Sequence, residues 1–361
     1  MPLNHYRTLG RSGLRVSPMC LGTMTFGPDW GWGSSVEDST RIIDAYLERG
    51  GNFIDTANIY TKGHSEKIIG DRLGRHPARR DRIVIATKFF GNMHPGDPNG
   101  GGAHRKSLMA ACEQSLRRLQ TPYIDLYWLH AHDPFTPIDE TMRALDDLVS
   151  AGKVRYIGFS DTPAWIAAHA QTTAHFRGWS PLIALQIEYS LLERTVEGDL
   201  VPMAREMGMG ITPWSPLKGG VLSGKYTRGS AASASPNRGQ WVSKNLTEPV
   251  YALLDVLVAV ARDAGCTPSQ AALAWLLARP GVASLIIGAR TLDQLHDNLG
   301  ALDVALSPEH LARLDEASRP TLPFPHDFLR AAADNMQGGA TINGRPSKPW
   351  ALAPQSDAER H

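Results

Sequence analysis

Short apolar runs alternate with segments of helical period along most of the chain. Eight runs are predicted to be buried strands, because their apolar residues are continuous and too few for a helix. These runs are Met19 to Leu21, Phe53 to Asp55, Ile83 to Lys88, Ile124 to Leu129, Val154 to Phe159, Ile183 to Ile187, Gly210 to Pro213 and Ser284 to Ile287. The predicted helices are Glu37 to Arg49, Ser65 to Leu73, Arg105 to Leu119, Ile138 to Ser150, Pro163 to Ala170, Thr195 to Met207, Val250 to Ala264 and Leu292 to Leu299.

The polar residues that close successive strands recur at a regular interval of about 30 residues, the length of one strand-helix unit. They are Asp55, Lys88, His130, Ser160, Gln186 and Trp214. Eight such units predict an α/β fold, a (β/α)8 TIM barrel with its functional residues at the carboxyl ends of the strands. An open doubly wound sheet is the alternative, and the lack of a Gly-x-Gly-x-x-Gly segment after any early strand disfavours it.

Two segments lie outside this repeat. Tyr6 to Leu9 and Leu14 to Ser17 flank a Gly-rich turn, which predicts an N-terminal β-hairpin that plugs one end of the barrel. The last segment has little periodicity beyond an apolar patch at Phe328 to Ala333, so we expect a C-terminal tail over the barrel, partly docked through Phe324, Phe328 and Trp350. The predicted barrel domain, with the cofactor and substrate site, spans residues 1–318 and the tail 319–361.

Composition narrows the class of partner. The chain has 361 residues, with 37 Lys and Arg against 36 Asp and Glu, and this near-zero net charge disfavours nucleic acid and anionic membranes. Cys20, Cys112 and Cys266 have no CxxC spacing, which argues against a disulfide framework or a zinc site and favours a reducing cytoplasm. No stretch approaches the about 18 apolar residues of a membrane span. We expect a cytoplasmic protein with a small-molecule substrate, and a possible homo-oligomer.

Four polar residues are expected to meet at the ends of three neighbouring strands. Asp55 ends a buried run, Tyr60 lies in the loop that follows, and Lys88 and His130 close the next two runs. A buried ammonium without an acid is costly, and Asp55 supplies that acid. The phenol of Tyr60 titrates near 10 in water, and the ammonium and imidazole are expected to lower its pKa for proton transfer. Singly, the Asp could be a turn residue and the Tyr a packing residue.

Successive motifs of the chain resemble the signatures of the aldo-keto reductase superfamily, in order and from Tyr6 to Ala317. They are DTANIY, IATKF, IDLYWLHAHD, GFSD, QIEYS, TPWSPL and IIGAR. The chain is most similar to bacterial members related to aryl-alcohol dehydrogenases and potassium-channel β-subunits. The resemblance implies reversible reduction of aldehyde or ketone carbonyls with NADP(H), preferred over NAD(H). It also implies that Asp55, Tyr60, Lys88 and His130 are the catalytic tetrad, with Tyr60 as proton donor and His130 orienting the substrate.

The resemblance also implies a cofactor site. Trp214 would stack on the nicotinamide, unless it is a core residue, and Ser160, Asp161 and Gln186 would surround the carboxamide. The family usually has Asn in place of Asp161, and an ionised carboxylate cannot donate a hydrogen bond, so we expect a changed carboxamide orientation or a preference for the oxidised cofactor. The remaining expected contacts are Gly22, Thr23, Met24, Asp55, Ser215, Pro216, Leu217, Gly219, Leu222, Lys225, Gly288, Arg290, Gln294 and Asn298.

Arg290, Gln294 and Asn298 recur every fourth residue and so share one helix face. This spacing suits a guanidinium on the 2′-phosphate and two amides on adenine, while a solvated helix face is the alternative.

Two long loops, Phe89 to Ala103 and Ser215 to Pro249, follow the third and seventh strands and are expected to be binding elements.

The substrate pocket is expected at the barrel mouth, walled by aromatic residues that suit aryl, sugar-like or polycyclic carbonyls. Its predicted residues are Phe26, Trp30, Trp32, Tyr60, Phe89 and His130. The alternative for the two indoles is packing against the next helix, whose start is indicated by Ser35 with Asp38 as a capping pair.

Three other functions compete with carbonyl reduction. His130 and His132 imitate an HxH metal site of a metal-dependent barrel hydrolase, but a third ligand is missing, so we predict no metal. A Schiff-base aldolase that uses Lys88 would leave Tyr60 and Arg290 unexplained. A non-catalytic NADP(H)-sensing regulatory subunit fits the resemblance to channel β-subunits, and the intact tetrad argues against it.

Overall fold

The computed structural model describes residues 1–228, 246–333, 335–354 and 356–360.

The N-terminal residues form the predicted hairpin, in which β1 (Arg7–Thr8) pairs antiparallel with β2 (Arg15–Val16). Leu9 and Val16 are fully buried and pack with interior side chains of the barrel strands. The hairpin therefore plugs one end of the barrel.

Eight parallel strands form the central sheet. They are β3 (Met19–Gly22), β4 (Phe53–Asp55), β5 (Val84–Phe89), β6 (Ile124–Leu129), β7 (Val154–Ser160), β8 (Leu182–Glu188), β9 (Gly210–Trp214) and β10 (Leu285–Gly288). They are hydrogen-bonded in the order β10-β3-β4-β5-β6-β7-β8-β9. A parallel bridge between Ile211 and Val282 nearly closes the sheet. The predicted (β/α)8 barrel is confirmed.

Helices surround these strands. They are α1 (Val36–Glu48), α2 (His64–Ile69), α3 (Pro77–Arg80), α4 (Arg105–Leu119), α5 (Ile138–Ser150), α6 (Ala164–Arg177), α7 (Leu200–Glu206), α8 (Glu248–Asp263), α9 (Pro268–Leu277), α10 (Leu292–Gly300), α11 (Pro308–Ala317) and α12 (His326–Ala333). No described helix combines the length and the apolar character that a bilayer crossing needs. Residues 229–245 of the long loop predicted after the seventh strand lie outside the described residues.

Several helices differ from the prediction: α3 and α11 are additional, and α6 continues to Arg177. The helix expected over Ser65 to Leu73 changes into a π-helix at Gly70–Gly74, where both glycines lie against the backbone at the end of α4. The helix expected from Thr195 is a short 3₁₀ turn, Thr195–Glu197, followed by α7. The helix α9 was not predicted, because it is apolar and buried on nearly all sides and has no amphipathic period.

The chain divides into two compact units, Met1–Arg319 and Pro320–His361. The smaller unit contains α12 and a hairpin of β11 (Thr341–Ile342) with β12 (Arg345–Pro346). The rings of Phe324 and Phe328 lie 6.1 Å apart within it. The expected docking of this segment on the barrel stays a prediction.

Candidate active site

Asp55, Lys88 and Tyr60 meet at the carboxyl ends of β4 and β5. Asp55 pairs in register with Ala86, and Lys88 lies two residues further along β5, so both side chains project to the same face. The Lys88 ammonium, 0% exposed, donates to Asp55 Oδ1, to the Thr56 carbonyl at 2.8 Å and to Tyr60 Oη at 3.3 Å. Three of the four predicted catalytic residues are therefore in hydrogen-bond contact.

His130, directly after β6, completes the group. Its ring lies edge-on to the Tyr60 ring, with 5.8 Å between the centroids. Burial, and then the charge of Lys88, lower the pKa of His130 to about 3. The imidazole is therefore neutral near pH 7 and can donate one hydrogen bond without carrying charge.

Tyr60 is held by an unusual backbone. It begins a 3₁₀ turn, Tyr60–Gly63, in which Thr61 and Lys62 have φ of 46° and 60°. Thr61 Oγ1 donates to the Phe26 carbonyl at 2.8 Å and accepts from the Ser65 N–H at 3.0 Å. Left-handed non-glycine residues persist where the surroundings hold them, and they concentrate at functional sites.

The expected lowering of the Tyr60 pKa is wrong for this arrangement. Burial raises the pKa of Tyr60 by more than the Lys88 ammonium lowers it. For Lys88, burial acts to lower the pKa, but Asp55 and Tyr60 together raise it above its ordinary value. The pair therefore combines a phenol that keeps its proton with an ammonium that keeps its charge.

Gln186 is part of the same network, which the sequence did not indicate. Its Nε2 donates to Asp55 Oδ2 at 3.0 Å, while Lys88 uses the other carboxylate oxygen. One N–H of the Gln186 amide is engaged in this way, which leaves the amide oxygen and the second N–H for a ligand.

A cavity of about 630 Å³ runs from these residues along the carboxyl ends of the strands. Its lining includes the predicted residues Gly22, Thr23, Met24, Asp55, Ser160, Asp161, Gln186, Trp214, Ser215, Pro216, Leu217, Gly219, Lys225, Gly288, Arg290, Gln294 and Asn298. Residues of the lining that sequence reasoning missed are Thr25, Ser223, Ser269 and Asp297. Leu222 is a correction, because its side chain is fully buried in the core and does not reach this cavity.

Trp214 and Asp161 contact each other inside the cavity. Trp214 Nε1 donates to Asp161 Oδ1 at 2.9 Å, which fixes the orientation of the indole. Asp161 has a φ of 39° and faces the open cavity. The protein walls around it, assisted by the charge of Glu188, raise the pKa of Asp161 to about 6.

The far end of the cavity suits an anionic group. Arg290 lies there, with its Nη1 3.4 Å from the Trp32 carbonyl. The N-terminus of α10, capped by Thr291, and that of α9, capped by Thr267, are both at this end, and Ser269 in the first turn of α9 lines the cavity. Helix N-termini and a guanidinium all favour negative charge. Ser269 was missed with α9, although the Thr267 and Gln270 capping box was a usable signal.

Trp30 and Trp32 lie beside Tyr60, and their role as a wall of the substrate pocket stays a prediction. The Trp30 ring lies 5.6 Å from that of Trp32 and 6.4 Å, edge-on, from that of Tyr60. The capping pair is also present, since Ser35 Oγ accepts from the Asp38 N–H at 3.0 Å.

The placement of Phe26 and Phe89 in the pocket is wrong. Both side chains are fully buried in the core, and the Phe89 ring lies 4.9 Å from that of Tyr127. Phe89 follows Lys88 on the same strand, and successive strand residues project to opposite faces.

A second cavity, of about 1000 Å³, lies between the loop that follows β5 and the loop that follows β6. It is lined by Ile59, Phe90, Gly91, Asn92, Pro98, Gly101, Gly102, His104, His130, Ala131, Asp133, Phe135, Thr136, Glu140 and Asp161. His130 and Asp161 line both cavities, so the two spaces meet beside the tetrad. Among the described residues, no group of three or more His, Cys, Asp or Glu side chains could hold a metal ion.

Known proteins resemble this chain over most of its length. The Aldo/keto reductase family model matches residues 18–319. Uncharacterized oxidoreductase YrpG of Bacillus subtilis is 39% identical, over 86% of this chain and 95% of the relative. A norsolorinic acid reductase of Aspergillus flavus is 35% identical, over 91% and 84%. Putative aryl-alcohol dehydrogenase AAD14 of Saccharomyces cerevisiae is 35% identical, over 91% and 90%. With these matches spanning the barrel and the tetrad at its strand ends, the chain belongs to the aldo/keto reductase family.

Proposed function

We propose that the protein is an NADP(H)-dependent oxidoreductase that reduces aldehyde or ketone carbonyls to alcohols, reversibly, with Tyr60 as the proton donor. The observation that carries this proposal is the Tyr60 hydroxyl, 3.3 Å from an Lys88 ammonium that is itself paired with Asp55. The group lies in a cavity that extends to an anion-binding end. Family membership supports the same chemistry.

Each tetrad residue has a defined task in carbonyl reduction. The nicotinamide, when bound, supplies a hydride to the carbonyl carbon. The Tyr60 Oη–H donates its proton to the carbonyl oxygen, and the Lys88 ammonium stabilises the phenolate that remains. Asp55 keeps Lys88 charged and in position. Neutral His130 donates a hydrogen bond to the same carbonyl oxygen and orients it.

Residues around Trp214 would hold the nicotinamide. The indole, fixed by Asp161, presents a flat face for stacking. The Gln186 amide oxygen and the Asp161 carboxylate can accept hydrogen bonds from a carboxamide NH₂ group, and the Ser160 hydroxyl can rotate from Asp161 to donate to its oxygen. This distribution of donors and acceptors fits a carboxamide even though an aspartate replaces the family's asparagine.

The proposed substrates are aryl aldehydes and ketones. Trp30 and Trp32 lie next to Tyr60, where an aromatic ring attached to the reacting carbonyl would be placed. Two relatives are named as a norsolorinic acid reductase and an aryl-alcohol dehydrogenase, which supports the same substrate class.

Cofactor preference tests the assignment of the anion-binding end. Replacing Arg290 with Ala should lower the ratio of kcat/KM for NADPH to that for NADH by about tenfold to 100-fold, because a charge-assisted hydrogen bond to the 2′-phosphate is lost. Arg290→Lys should retain part of the preference. Arg262→Ala, an exposed position on α8 outside the cavity, is the control. An unchanged ratio in Arg290→Ala would refute the 2′-phosphate assignment.

A further inference from the structure

The second cavity is large enough to hold a substantial part of a substrate. We call it the distal cavity and define it by the loop of residues 90–104, between β5 and α4, and the loop of residues 131–137, between β6 and α5. A pocket for a drug-sized molecule has about 300–1,000 Å³. Because His130 lines both cavities, a molecule whose carbonyl lies at Tyr60 can extend into this space.

The walls of the distal cavity include uncovered aromatic surface. Phe135 lines it with 93% of the residue exposed, and Phe90 lines it from a backbone with a φ of 114°. The Gly102 N–H donates to the Phe90 carbonyl at 2.8 Å and holds that conformation. With Ile59, these rings give the cavity an apolar wall against which an apolar ligand can pack. The distal cavity therefore suits a second ring or an alkyl chain.

The charged groups in these walls are all acidic. Asp133, Glu140 and Asp161 line the distal cavity, and no Lys or Arg does so among the residues that the structure describes there. Asp133 accepts from the N–H groups of Ala103 at 2.8 Å and Phe135 at 2.9 Å, and these bonds are arranged around an ionised carboxylate.

Nearby cations offset this charge only in part. Arg105, at the start of α4, directs its guanidinium to Asp147 and offers Glu140 only a backbone N–H, at 2.9 Å. The Lys88 ammonium is paired with Asp55. His104 also lines the cavity, and its Nδ1 accepts from the Ser107 N–H at 3.4 Å. The distal cavity therefore carries a negative potential.

We infer that the distal cavity binds the far end of an elongated aryl carbonyl substrate and selects neutral or cationic groups, such as an amine, over carboxylates. This inference rests on the proposed carbonyl reduction, because the reacting end must lie at Tyr60. It adds a charge rule to the substrate class: acidic aryl aldehydes are poor substrates, and those with a distal ammonium are good ones. A like charge brought beside these carboxylates is disfavoured, and an opposite charge is favoured.

A set of biphenyl-4-carbaldehydes that differ only at the 4′ position tests the charge rule. The substituents are trimethylammonium, carboxamide and carboxylate, and kcat/KM is measured with NADPH and the full-length protein at pH 8. The expected order is cation, neutral, anion, with the cation preferred over the anion by about tenfold or more. Equal values for the three aldehydes, or a preference for the carboxylate, would overturn the inference. Equal values are also the result expected if the second ring lies against Trp30 and Trp32 instead.

Two variants tie the preference to the distal cavity. Glu140→Gln keeps the acceptor for the Arg105 N–H and should reduce the cation-to-anion ratio about threefold to tenfold. Glu309→Gln removes a matching exposed glutamate from the first turn of α11 and should leave the ratio unchanged. Equal ratios in Glu140→Gln and the parent would overturn the assignment to this cavity.

If the parent reduces none of the aldehydes, the proposed function fails and this inference falls with it. Reduction without charge discrimination rejects only the charge rule.

Discussion

At the scale of residues, Asp55 connects the groups on which the proposed chemistry depends. One carboxylate oxygen accepts from Lys88 and the other from Gln186 at 3.0 Å. Gln186, which lines the cavity, is thus linked through Asp55 to the Lys88 ammonium, which donates to Tyr60. This arrangement joins Gln186, a proposed cofactor contact, and Tyr60, the proposed proton donor, in one hydrogen-bonded network.

Asp161 is expected to make cofactor binding depend on pH. Its pKa is about 6, so the carboxylate is largely protonated at pH 5 and ionised at pH 8. An anion beside the nicotinamide favours the cationic ring of NADP⁺ over the neutral ring of NADPH. The ratio of Kd for NADP⁺ to Kd for NADPH should therefore fall about threefold to tenfold between pH 5 and pH 8. Isothermal titration calorimetry measures both constants.

The control for this prediction is Asp161→Asn, which keeps an oxygen to accept from Trp214 Nε1 but cannot ionise. Its ratio should be constant with pH. The 2′-phosphate also titrates in this range, but it is common to both cofactor forms and cancels in the ratio. His130, with a pKa of about 3, does not titrate there. A pH-dependent ratio that persists in Asp161→Asn would contradict the assignment.

The sequence was sufficient to predict site residues whose charge is unusual at the end of an apolar strand. It was misleading where the role of a residue depends on the direction in which its side chain points. A lysine and an acid at the ends of apolar runs indicated the pair of Lys88 and Asp55. Phe89 was assigned to the pocket, whereas the alternation of a strand turns it to the core. Leu222 was counted with its loop, but the burial of one residue in an irregular loop depends on tertiary packing.

At the scale of elements, Gly70 and Gly74, which follow α2, permit a close approach to the end of α4. A Cβ atom added to Gly70 would lie 2.2 Å from the Arg118 carbonyl oxygen, and one added to Gly74 would lie 1.9 Å from that of Leu119. These contacts are to backbone, which cannot rotate away. The π-helix Gly70–Gly74 is the local geometry that accompanies this contact.

Replacing Gly70 with Ala should therefore destabilise the barrel. We expect a loss of about 1–3 kcal/mol in the free energy of unfolding, since the added methyl forces apart two packed elements. Gly13→Ala is the control, because a Cβ there meets no atom within 4 Å. Denaturation in urea gives both values. A Gly70→Ala protein as stable as the Gly13→Ala protein would show that the helices can separate at no cost.

The strands were predictable because burial on both faces leaves continuous apolar runs, and each predicted strand overlaps an observed one. The helix α9 was not predictable from periodicity, because nearly every residue from Ser269 to Leu276 is buried. Its capping box is a local signal that needs no period. Recognising it would also have placed Ser269 at the cavity.

At the scale of the whole molecule, barrel closure assembles the site from both ends of the main unit. β3, near the N-terminus, pairs with β10, so that Gly22 lies in register with Gly288. The residues that follow each strand, Thr23 and Arg290 among them, then line the same cavity. The Arg290 guanidinium and the Trp32 carbonyl, 3.4 Å apart, join the proposed cofactor-binding end to the aromatic wall. The site therefore depends on the nearly closed barrel rather than on any single motif.

The central claim, that Tyr60 donates the proton in NADPH-dependent carbonyl reduction, is tested most directly by Tyr60→Phe. The measurement pairs steady-state reduction of 4-nitrobenzaldehyde with an NADPH binding titration on the same protein, and Tyr6→Phe, which removes an exposed hydroxyl on the hairpin side, is the control. The account predicts that kcat falls about 100-fold to 10,000-fold in Tyr60→Phe while the Kd for NADPH stays within about twofold of the parent. A Tyr60→Phe protein that reduces the aldehyde as fast as the Tyr6→Phe protein would contradict it.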